Sequence, residues 1–175
     1  MVVDSADMLD IAISELSSEK VLGFDTETRP SFTKGKKNKV ALLQLSGSRK
    51  AYLFRLSSIG IPEPLTELLE KKNITKVGAA IKEDLNALKK IAPFEPSGFI
   101  DLQSYVEQYG IEEKSVRKMA AIVLGIRISK AQQLSNWENN DYSEAQKLYA
   151  ATDAWVCREI YEALAKHKPI LKHHK

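Results

Sequence analysis

The stretch Val21-Leu22-Gly23-Phe24-Asp25-Thr26-Glu27 is an apolar run that ends in two carboxylates separated by one residue. It is typical of a buried strand, in which residues i and i+2 point to the same side of the sheet, so Asp25 and Glu27 are expected to project together. Two acids on one side of a core strand need a compensating arginine, lysine or metal ion, because an unpaired buried charge is very costly. Alternatively, both side chains emerge at the surface where the strand ends. This stretch alone favours neither interpretation.

The remainder of the chain indicates an α/β protein. With 175 residues and a hydrophobic content of 43%, it can bury a full core, and a single domain spanning residues 1–175 is expected. Segments with helical periodicity alternate with segments typical of strands. The formal net charge of +3 permits an anionic partner but does not require one.

Strand patterns at about residues 20–27, 40–46 and 51–56 predict an antiparallel meander. A further strand is expected at 76–80, and residues 100–102 fit either a fifth strand or the start of a helix. Helices are predicted at 4–17, from Pro62 onward, at 81–92, at 115–124 and at 143–166, the last opened by the capping-box pair Ser143 and Gln146.

The single cysteine, Cys157, excludes an internal disulfide and is typical of a protein in a reducing cytoplasm. Its place among apolar residues of a predicted helix indicates a buried, inert thiol. The N-terminus carries Asp4 and lacks the apolar core of a signal peptide, and no apolar run approaches the length of a membrane span. A soluble, cytoplasmic domain with no membrane partner is therefore expected.

A third acid, Asp84, falls on or beside the apolar stripe of the helix predicted to begin near Ile81. It comes three residues after Ile81 and four before Leu88, although polar residues already fill the opposite face of that helix. A helix N-terminus also stabilises a carboxylate electrostatically, so a structural role explains Asp84 as well as a catalytic role does.

The final predicted helix places another acid on an apolar face. Tyr149 and Asp153 are one turn apart, and the same face continues through Val156, Ile160 and Leu164. A tyrosine on such a stripe is usually a core residue with a satisfied hydroxyl. An aspartate there is harder to explain, because unpaired buried carboxylates are rare.

Three separate elements thus direct acids inward, and the simplest explanation is that Asp25, Glu27, Asp84 and Asp153 converge. Four carboxylates at one place repel and raise one another's pKa values unless divalent cations neutralise them. All-oxygen ligand sets suit Mg²⁺ or Mn²⁺, and two such ions about 3.5–4 Å apart are the usual apparatus for phosphodiester cleavage. Zinc is disfavoured, because the 3 histidines all lie near the C-terminus and there is 1 cysteine.

Three stretches resemble the exonuclease motifs of the DEDD 3′–5′ exonucleases. They are Phe24-Asp25-Thr26-Glu27, Gly78-Ala79-Ala80-Ile81-Lys82-Glu83-Asp84 and Tyr149-Ala150-Ala151-Thr152-Asp153. With tyrosine rather than histidine at position 149, the chain resembles the DEDDy branch of this family. The likeness is greatest to the exonuclease domains of Werner-type helicases, and ribonuclease D-like catalytic domains are also similar. It covers about residues 5–165.

The resemblance implies a ribonuclease H-like fold: a five-stranded mixed sheet, made of an antiparallel meander plus parallel strands and flanked by helices. It implies removal of 3′-terminal nucleotides as 5′-monophosphates, with two Mg²⁺ or Mn²⁺ ions as cofactors. Asp25 would bridge both ions, Glu27 and Asp153 would complete the site that generates the attacking hydroxide, and Asp84 would serve the second ion. Tyr149 would orient that water or the scissile phosphate.

A lysine-rich loop follows the catalytic strand directly. Its four lysines and one residue of the strand are predicted to contact the substrate: Thr26, Lys34, Lys36, Lys37 and Lys39. A solvated run of charge is the alternative for the lysines. Nucleic acid is the expected partner, with DNA favoured and RNA also considered.

Several alternatives stay open. The first is RNA 3′-end trimming of the ribonuclease D type, since no feature reads a 2′-hydroxyl. The others are an inactive nucleic-acid-binding domain, which the retained acids and tyrosine argue against, and an endonuclease of the wider ribonuclease H-like class.

An aromatic residue that some relatives carry after the second motif is absent, with Asn86 and Ala87 in its place. Trp137 is predicted to be a structural anchor rather than a platform on which bases stack. Asp101 is predicted to be a capping or surface residue, and support of the metal-binding acids is the alternative.

Overall fold

The computed structural model describes residues 1–31 and 38–170. Its strands are β1 (Val2–Val3), β2 (Val21–Thr28), β3 (Val40–Ser46), β4 (Ala51–Arg55), β5 (Thr75–Gly78) and β6 (Phe99–Asp101). Within the described residues they form one six-stranded sheet, in the order β1-β4-β3-β2-β5-β6. The central strands β2, β3 and β4 pair antiparallel, whereas β5 and β6 run parallel to β2. The predicted mixed sheet is therefore confirmed.

The sheet has one strand more than the five that were predicted. Edge strand β1 pairs parallel with β4 through Val2 opposite Leu53 and Val3 opposite Phe54. The terminal amine also donates a hydrogen bond to the carbonyl of Ala51 at 2.7 Å. Two residues are too few to show an alternating pattern, so only the pairing itself reveals this strand.

The helices are α1 (Ala6–Ser17), α2 (Leu56–Ile59), α3 (Glu63–Glu70), α4 (Ile81–Lys89), α5 (Leu102–Glu107), α6 (Val116–Leu124) and α7 (Glu144–Leu164). Since α5 begins directly after β6, the strand and the helix considered for residues 100–102 both occur, one after the other. The capping box of α7 is present: Ser143 Oγ accepts from the Gln146 amide at 3.2 Å, and Gln146 Oε1 accepts from the Ser143 amide at 3.0 Å. No helix in the described residues has the length and apolar character needed to cross a membrane.

All seven residues of β3 are buried, which shows that both faces of the sheet are covered by helices. Leu43 and Leu45 pack on one side, in a cluster with apolar residues of α1 and α3. Leu42 packs on the other side, with Tyr149 and Ala150 of α7. The long helix α7 therefore lies across the end of β2 that carries the acids, and this packing creates the candidate site.

Candidate active site

Asp25 and Glu27 lie near the end of β2, on the sheet face that α7 covers. Their partners on β3 are Gln44 and Leu42. Directly opposed residues of antiparallel strands point to the same face, and Leu42 packs against Tyr149 of α7. Both carboxylates are partly buried and line a cavity, so they do not simply extend into solvent where the strand ends.

Gly23 allows α7 to approach β2 closely. A Cβ atom at Gly23 would lie 1.8 Å from the carbonyl oxygen of Ala154, a distance that no side chain tolerates. Ala154 is the neighbour of Asp153, so the close approach also brings Asp153 down onto the strand. Glycine is required here because of the contact and not because of its backbone angles.

Three carboxylates meet at this contact. Oxygen atoms of Asp25, Glu27 and Asp153 all lie within 4.8 Å of one another. Asp84 lies outside this group of three, although it is close enough for its charge to raise the pKa values of Asp25 and Glu27. The structure therefore brings together all four acids that the sequence indicated, three of them tightly and Asp84 at the margin.

Asp84 is held in place by the residue between the two strand acids. The Thr26 hydroxyl donates a hydrogen bond to Asp84 Oδ1 at 2.6 Å. Burial raises the pKa of Asp84, and this hydrogen bond partly offsets the increase. The hydroxyl of Thr26, predicted to contact the substrate, is thus already engaged in orienting a carboxylate.

The turn before α4 is shaped by a close contact and by an unusual backbone angle. A Cβ atom at Gly78 would lie 2.7 Å from the Phe24 carbonyl oxygen, so glycine lets the end of β5 pack against β2. Ala80 has φ = 55°, in the left-handed region. Its amide donates to Asp101 Oδ1 at 3.2 Å, and the same oxygen accepts from the Gln103 amide at 2.9 Å, at the start of α5. The capping role predicted for Asp101 is therefore confirmed.

The acids raise one another's pKa values. The pKa of Asp25 is well above its usual range because of burial and the charges of Asp153 and Asp84. Burial, Asp25, Asp153 and Asp84 raise the pKa of Glu27 to about 9. A site of this kind holds protons at neutral pH unless a cation displaces them, and that is the electrostatic character of an acidic metal site.

Tyr149 joins this group from α7. Its hydroxyl accepts a hydrogen bond from Arg117 Nη2 at 3.3 Å. Burial and the charges of Asp153 and Glu27 raise the pKa of the phenol. Burial likewise raises the pKa of Asp153, while a hydrogen bond with Tyr149 and the charge of Arg117 lower it. Tyr149 is 8% exposed, so its ring is packed, and it lines the same cavity as Asp25, Glu27 and Asp153.

Arg117 was not among the site residues predicted from the sequence. This residue projects from α6 into the cavity between α6, α7 and β2, which has a volume of about 320 Å³. One signal was available: Arg117 precedes Ala120 by three residues, and Ala120 is fully buried, so the arginine lies on the inward-facing stripe of its helix. An arginine on a helix is nevertheless so common that this position alone predicts nothing.

The donor set at this cavity fits a hard divalent cation. Three carboxylates offer only oxygen atoms, which suit Mg²⁺ or Mn²⁺. Cys157 also lines the cavity, but burial raises the pKa of its thiol well above the usual value, as expected of an inert buried cysteine. The acidic cluster is therefore the part of the cavity that can hold a metal ion.

A family model described as 3′–5′ exonuclease matches residues 1–168. This match covers nearly the whole chain, including every element that forms the cavity. The chain belongs to the 3′–5′ exonuclease family. Its resemblance to the DEDD exonuclease motifs is thereby confirmed, and the members of this family are 3′–5′ exonucleases.

Several relatives of this exonuclease chain are much longer than the chain itself. The mouse bifunctional 3′–5′ exonuclease/ATP-dependent helicase WRN is 37% identical over 155 residues, which cover 85% of this chain and 11% of that protein. DNA polymerase I of Aquifex aeolicus is 31% identical over 150 residues, covering 86% and 24%. Ribonuclease D of Gluconacetobacter diazotrophicus is 27% identical over 167 residues, covering 94% and 42%. The chain thus spans less than half the length of each of these relatives.

The fold agrees with that of a solved EXO domain. The EXO domain of Nibbler from Aedes aegypti superposes with a TM-score of 0.80 at 27% identity, over 94% of this chain and 86% of that one. The central sheet and flanking helices are those of the ribonuclease H-like fold, as predicted.

Two further predictions concern residues around the cavity or in the lysine-rich loop. Trp137 is completely buried, and its ring centroid lies 6.1 Å from that of Tyr149. The Tyr142 hydroxyl donates to the Trp137 carbonyl at 2.7 Å, so the tryptophan is the predicted structural anchor. Of the lysine-rich loop, Lys39 is exposed, whereas Lys34, Lys36 and Lys37 lie outside the described residues.

Proposed function

We propose that this chain is a metal-dependent exonuclease that hydrolyses nucleotides from the 3′ end of DNA and releases nucleoside 5′-monophosphates. The observation that carries this proposal is the cluster of Asp25, Glu27 and Asp153, whose carboxylate oxygens lie within 4.8 Å of one another. In a 3′–5′ exonuclease family member, such a cluster beside a cavity of about 320 Å³ is where a chain end and its metal ions would meet.

Each acid has a proposed role in holding the ions. Asp25, Glu27 and Asp153 would hold one divalent cation, and Asp25 together with Asp84 would hold a second. A bound divalent cation supplies a lowered pKa for an attacking water molecule and charge stabilisation at the phosphate. Thr26 contributes by fixing the Asp84 carboxylate through its 2.6 Å hydrogen bond.

Tyr149 is proposed to orient the attacking water or the scissile phosphate with its hydroxyl. Because burial and two neighbouring acids raise the pKa of the phenol, this hydroxyl stays protonated at neutral pH and can donate a hydrogen bond. Trp137 and Arg117 fix its position from two sides. Such positioning reduces the reorganisation needed when the phosphate is attacked.

The proposed choice of DNA is supported by two relatives that match at least 85% of this chain at more than 30% identity: a helicase-linked exonuclease at 37% and a DNA polymerase at 31%. A ribonuclease D of Jannaschia sp. is 32% identical, but it matches only 59% of this chain. The predicted substrate contacts through Thr26, Lys39 and the other loop lysines would bind the phosphate backbone, which DNA and RNA share. RNA is the second candidate, because a relative named ribonuclease D matches 94% of the chain at 27% identity.

The proposal is tested with oligonucleotides of DNA and RNA labelled at either end, incubated with Mg²⁺, Mn²⁺ or EDTA. We expect a 5′-labelled DNA strand to shorten stepwise in a metal-dependent manner, and a 3′-labelled strand to release a labelled mononucleotide at once. Faster shortening of RNA than of DNA would replace the DNA assignment with the RNA one. Cleavage in EDTA would overturn the metal-dependent mechanism.

Asp25→Asn tests the site with a change that keeps the shape of the side chain and removes its charge. We expect activity to fall at least about 10³-fold, because this acid is the one shared between both proposed ions. Asp10→Asn is the matched control: the same change at an exposed position of α1, on the opposite face of the sheet. Equal activity in Asp25→Asn and Asp10→Asn would rule out the cluster as the active site.

A further inference from the structure

Arg117 lies in the acidic cavity but does not pair with any of its acids. The described residues that line the cavity include the acids Asp25, Glu27 and Asp153, and Arg117 is the one cation among them. An arginine present only to neutralise these acids would be expected to form an ion pair with one of them. Within the described residues, however, no carboxylate lies within 4.0 Å of its guanidinium nitrogens; its hydrogen-bond partner is the Tyr149 hydroxyl.

The guanidinium of Arg117 has hydrogen-bonding capacity that the described residues do not use. A guanidinium carries five N–H donors in a fixed plane. One of them, on Nη2, reaches Tyr149 at 3.3 Å. The Nε atom is buried and has no hydrogen-bond partner among the described residues. A molecule entering the cavity cannot reach this buried Nε atom, so the donors that can bind an external acceptor are those on the two terminal nitrogens of the guanidinium.

Charge balance indicates what that acceptor is. If two divalent cations occupy the site, four carboxylates neutralise them, and no charge remains to offset the substrate. The phosphodiester brings one negative charge, and attack by hydroxide adds a second. Arg117 is the cation in the cavity lining that can stabilise this excess. A planar guanidinium also matches the spacing of two phosphate oxygens, so the chemistry fits a phosphate group.

We propose that Arg117 binds the phosphate of the 3′-terminal nucleotide. The hydrogen bond from Nη2 to the Tyr149 hydroxyl orients the guanidinium, and the remaining donors contact the non-bridging oxygens of the phosphate. This inference rests on the proposed function, because it assumes that the acidic cluster holds metal ions and that a nucleotide phosphate enters the cavity. It extends that function by assigning the phosphate contact to a residue of α6.

The test measures the binding of deoxyadenosine 5′-monophosphate by calorimetry in saturating Mn²⁺, with deoxyadenosine as the ligand that lacks phosphate. We expect Arg117→Met to weaken monophosphate binding about 10- to 100-fold, the usual effect of losing a charged hydrogen bond, and to leave deoxyadenosine binding unchanged. Arg117→Lys should lose less, because it keeps the charge. Lys118→Met, on an exposed part of the same helix, should bind like the wild type.

Three results would overturn the proposal. Equal weakening of both ligands in Arg117→Met would indicate that the cavity has collapsed, and unchanged monophosphate binding would show that Arg117 makes no contact. In a Tyr149→Phe background, Arg117→Met must weaken monophosphate binding further. If it does not, Arg117 acts only through Tyr149. A Mn²⁺-induced rise in melting temperature, retained in Arg117→Met and Arg117→Lys, verifies that both variants fold.

The binding measurement needs no turnover, so the two proposals can fail separately. Wild-type protein that binds the monophosphate but cleaves no oligonucleotide would refute the proposed function and leave the phosphate site in place. Wild-type protein that cleaves DNA, with monophosphate affinity insensitive to Arg117→Met, would refute the phosphate contact alone.

Discussion

Substitution of Gly23 by alanine should separate the two halves of the candidate active site. The added Cβ atom would lie 1.8 Å from the Ala154 carbonyl oxygen, whereas real Cβ atoms almost never approach closer than 3.0 Å. The backbone of α7 or β2 must therefore move by about 1.2 Å, the difference between these distances. Because α7 carries both Tyr149 and Asp153, this movement displaces two catalytic candidates relative to Asp25.

The expected size of the effect follows from this displacement. Overpacking in a core costs about 1–3 kcal/mol, and a clash with backbone atoms belongs at the upper end of that range. A misplacement of about 1 Å at a catalytic site lowers the rate by about 10²-fold. Gly23→Ala should therefore unfold at lower urea concentration and lose at least about 10²-fold in single-turnover rate, even at temperatures where it is fully folded.

Urea unfolding followed by circular dichroism gives the stability, and single-turnover cleavage of a 5′-labelled oligonucleotide gives the rate. Gly47→Ala is the matched control, since a Cβ atom there meets only the flexible side chain of Glu19. It should cost less than about 1 kcal/mol and keep wild-type activity. Wild-type stability and rate in Gly23→Ala would refute the conclusion that this close approach forms the site.

Three further predictions follow from the same geometry. In metal-free protein, the pKa of Glu27 is raised from 4.5 to about 9, so its contribution to stability is fully present below pH 4.5 and is lost as the pH rises toward 9. The free energy of unfolding should fall between pH 6 and 8 by up to about 1.4 kcal/mol per pH unit for each such proton. Glu27→Gln should flatten this dependence on pH. An unchanged slope in that variant would show that Glu27 does not have the raised pKa. Ala80→Gly should raise the free energy of unfolding by about 0.5–1 kcal/mol in urea titrations, because relief of the strain at φ = 55° exceeds the added chain entropy of glycine; a loss of stability would show that Ala80 is unstrained. Tyr149→Phe should lower the single-turnover rate about 10²-fold or more while DNA affinity, measured by fluorescence anisotropy, changes little, and an unchanged rate would remove Tyr149 from the site.

Features that depend on near neighbours in the chain were predictable from sequence. The i, i+2 spacing of Asp25 and Glu27 placed both acids on one face, and the structure shows them together beneath α7. The capping box of Ser143 and Gln146 marked the start of α7 correctly. The capping role of Asp101 was anticipated as well. Local hydrogen bonds and periodicity decide these features, so one segment is enough to reveal them.

Contacts between distant segments were not predictable in this way. The hydroxyl of Thr26 bonds to Asp84, 58 residues away, and the sequence did not indicate this contact. Arg117 reaches Tyr149 from a helix 32 residues earlier, and nothing in its own helix distinguishes it from a surface arginine. The edge strand β1 is likewise defined only by its pairing with β4.

By itself, the sequence indicated the residues of the candidate site: four acids and one tyrosine, on a strand and two helices whose inward faces follow from periodicity. The apolar stretch that ends in Asp25 and Glu27 left two possibilities open. Either a cation compensates the two buried charges, or both side chains lie at the surface, where water solvates them. Only the tertiary structure decided how far apart these groups lie. That distance depends on the missing side chain at Gly23, which lets α7 pack on β2. The tertiary structure also brings Arg117 of α6 into the cavity. Packing between elements fixes such distances, and no local pattern records them.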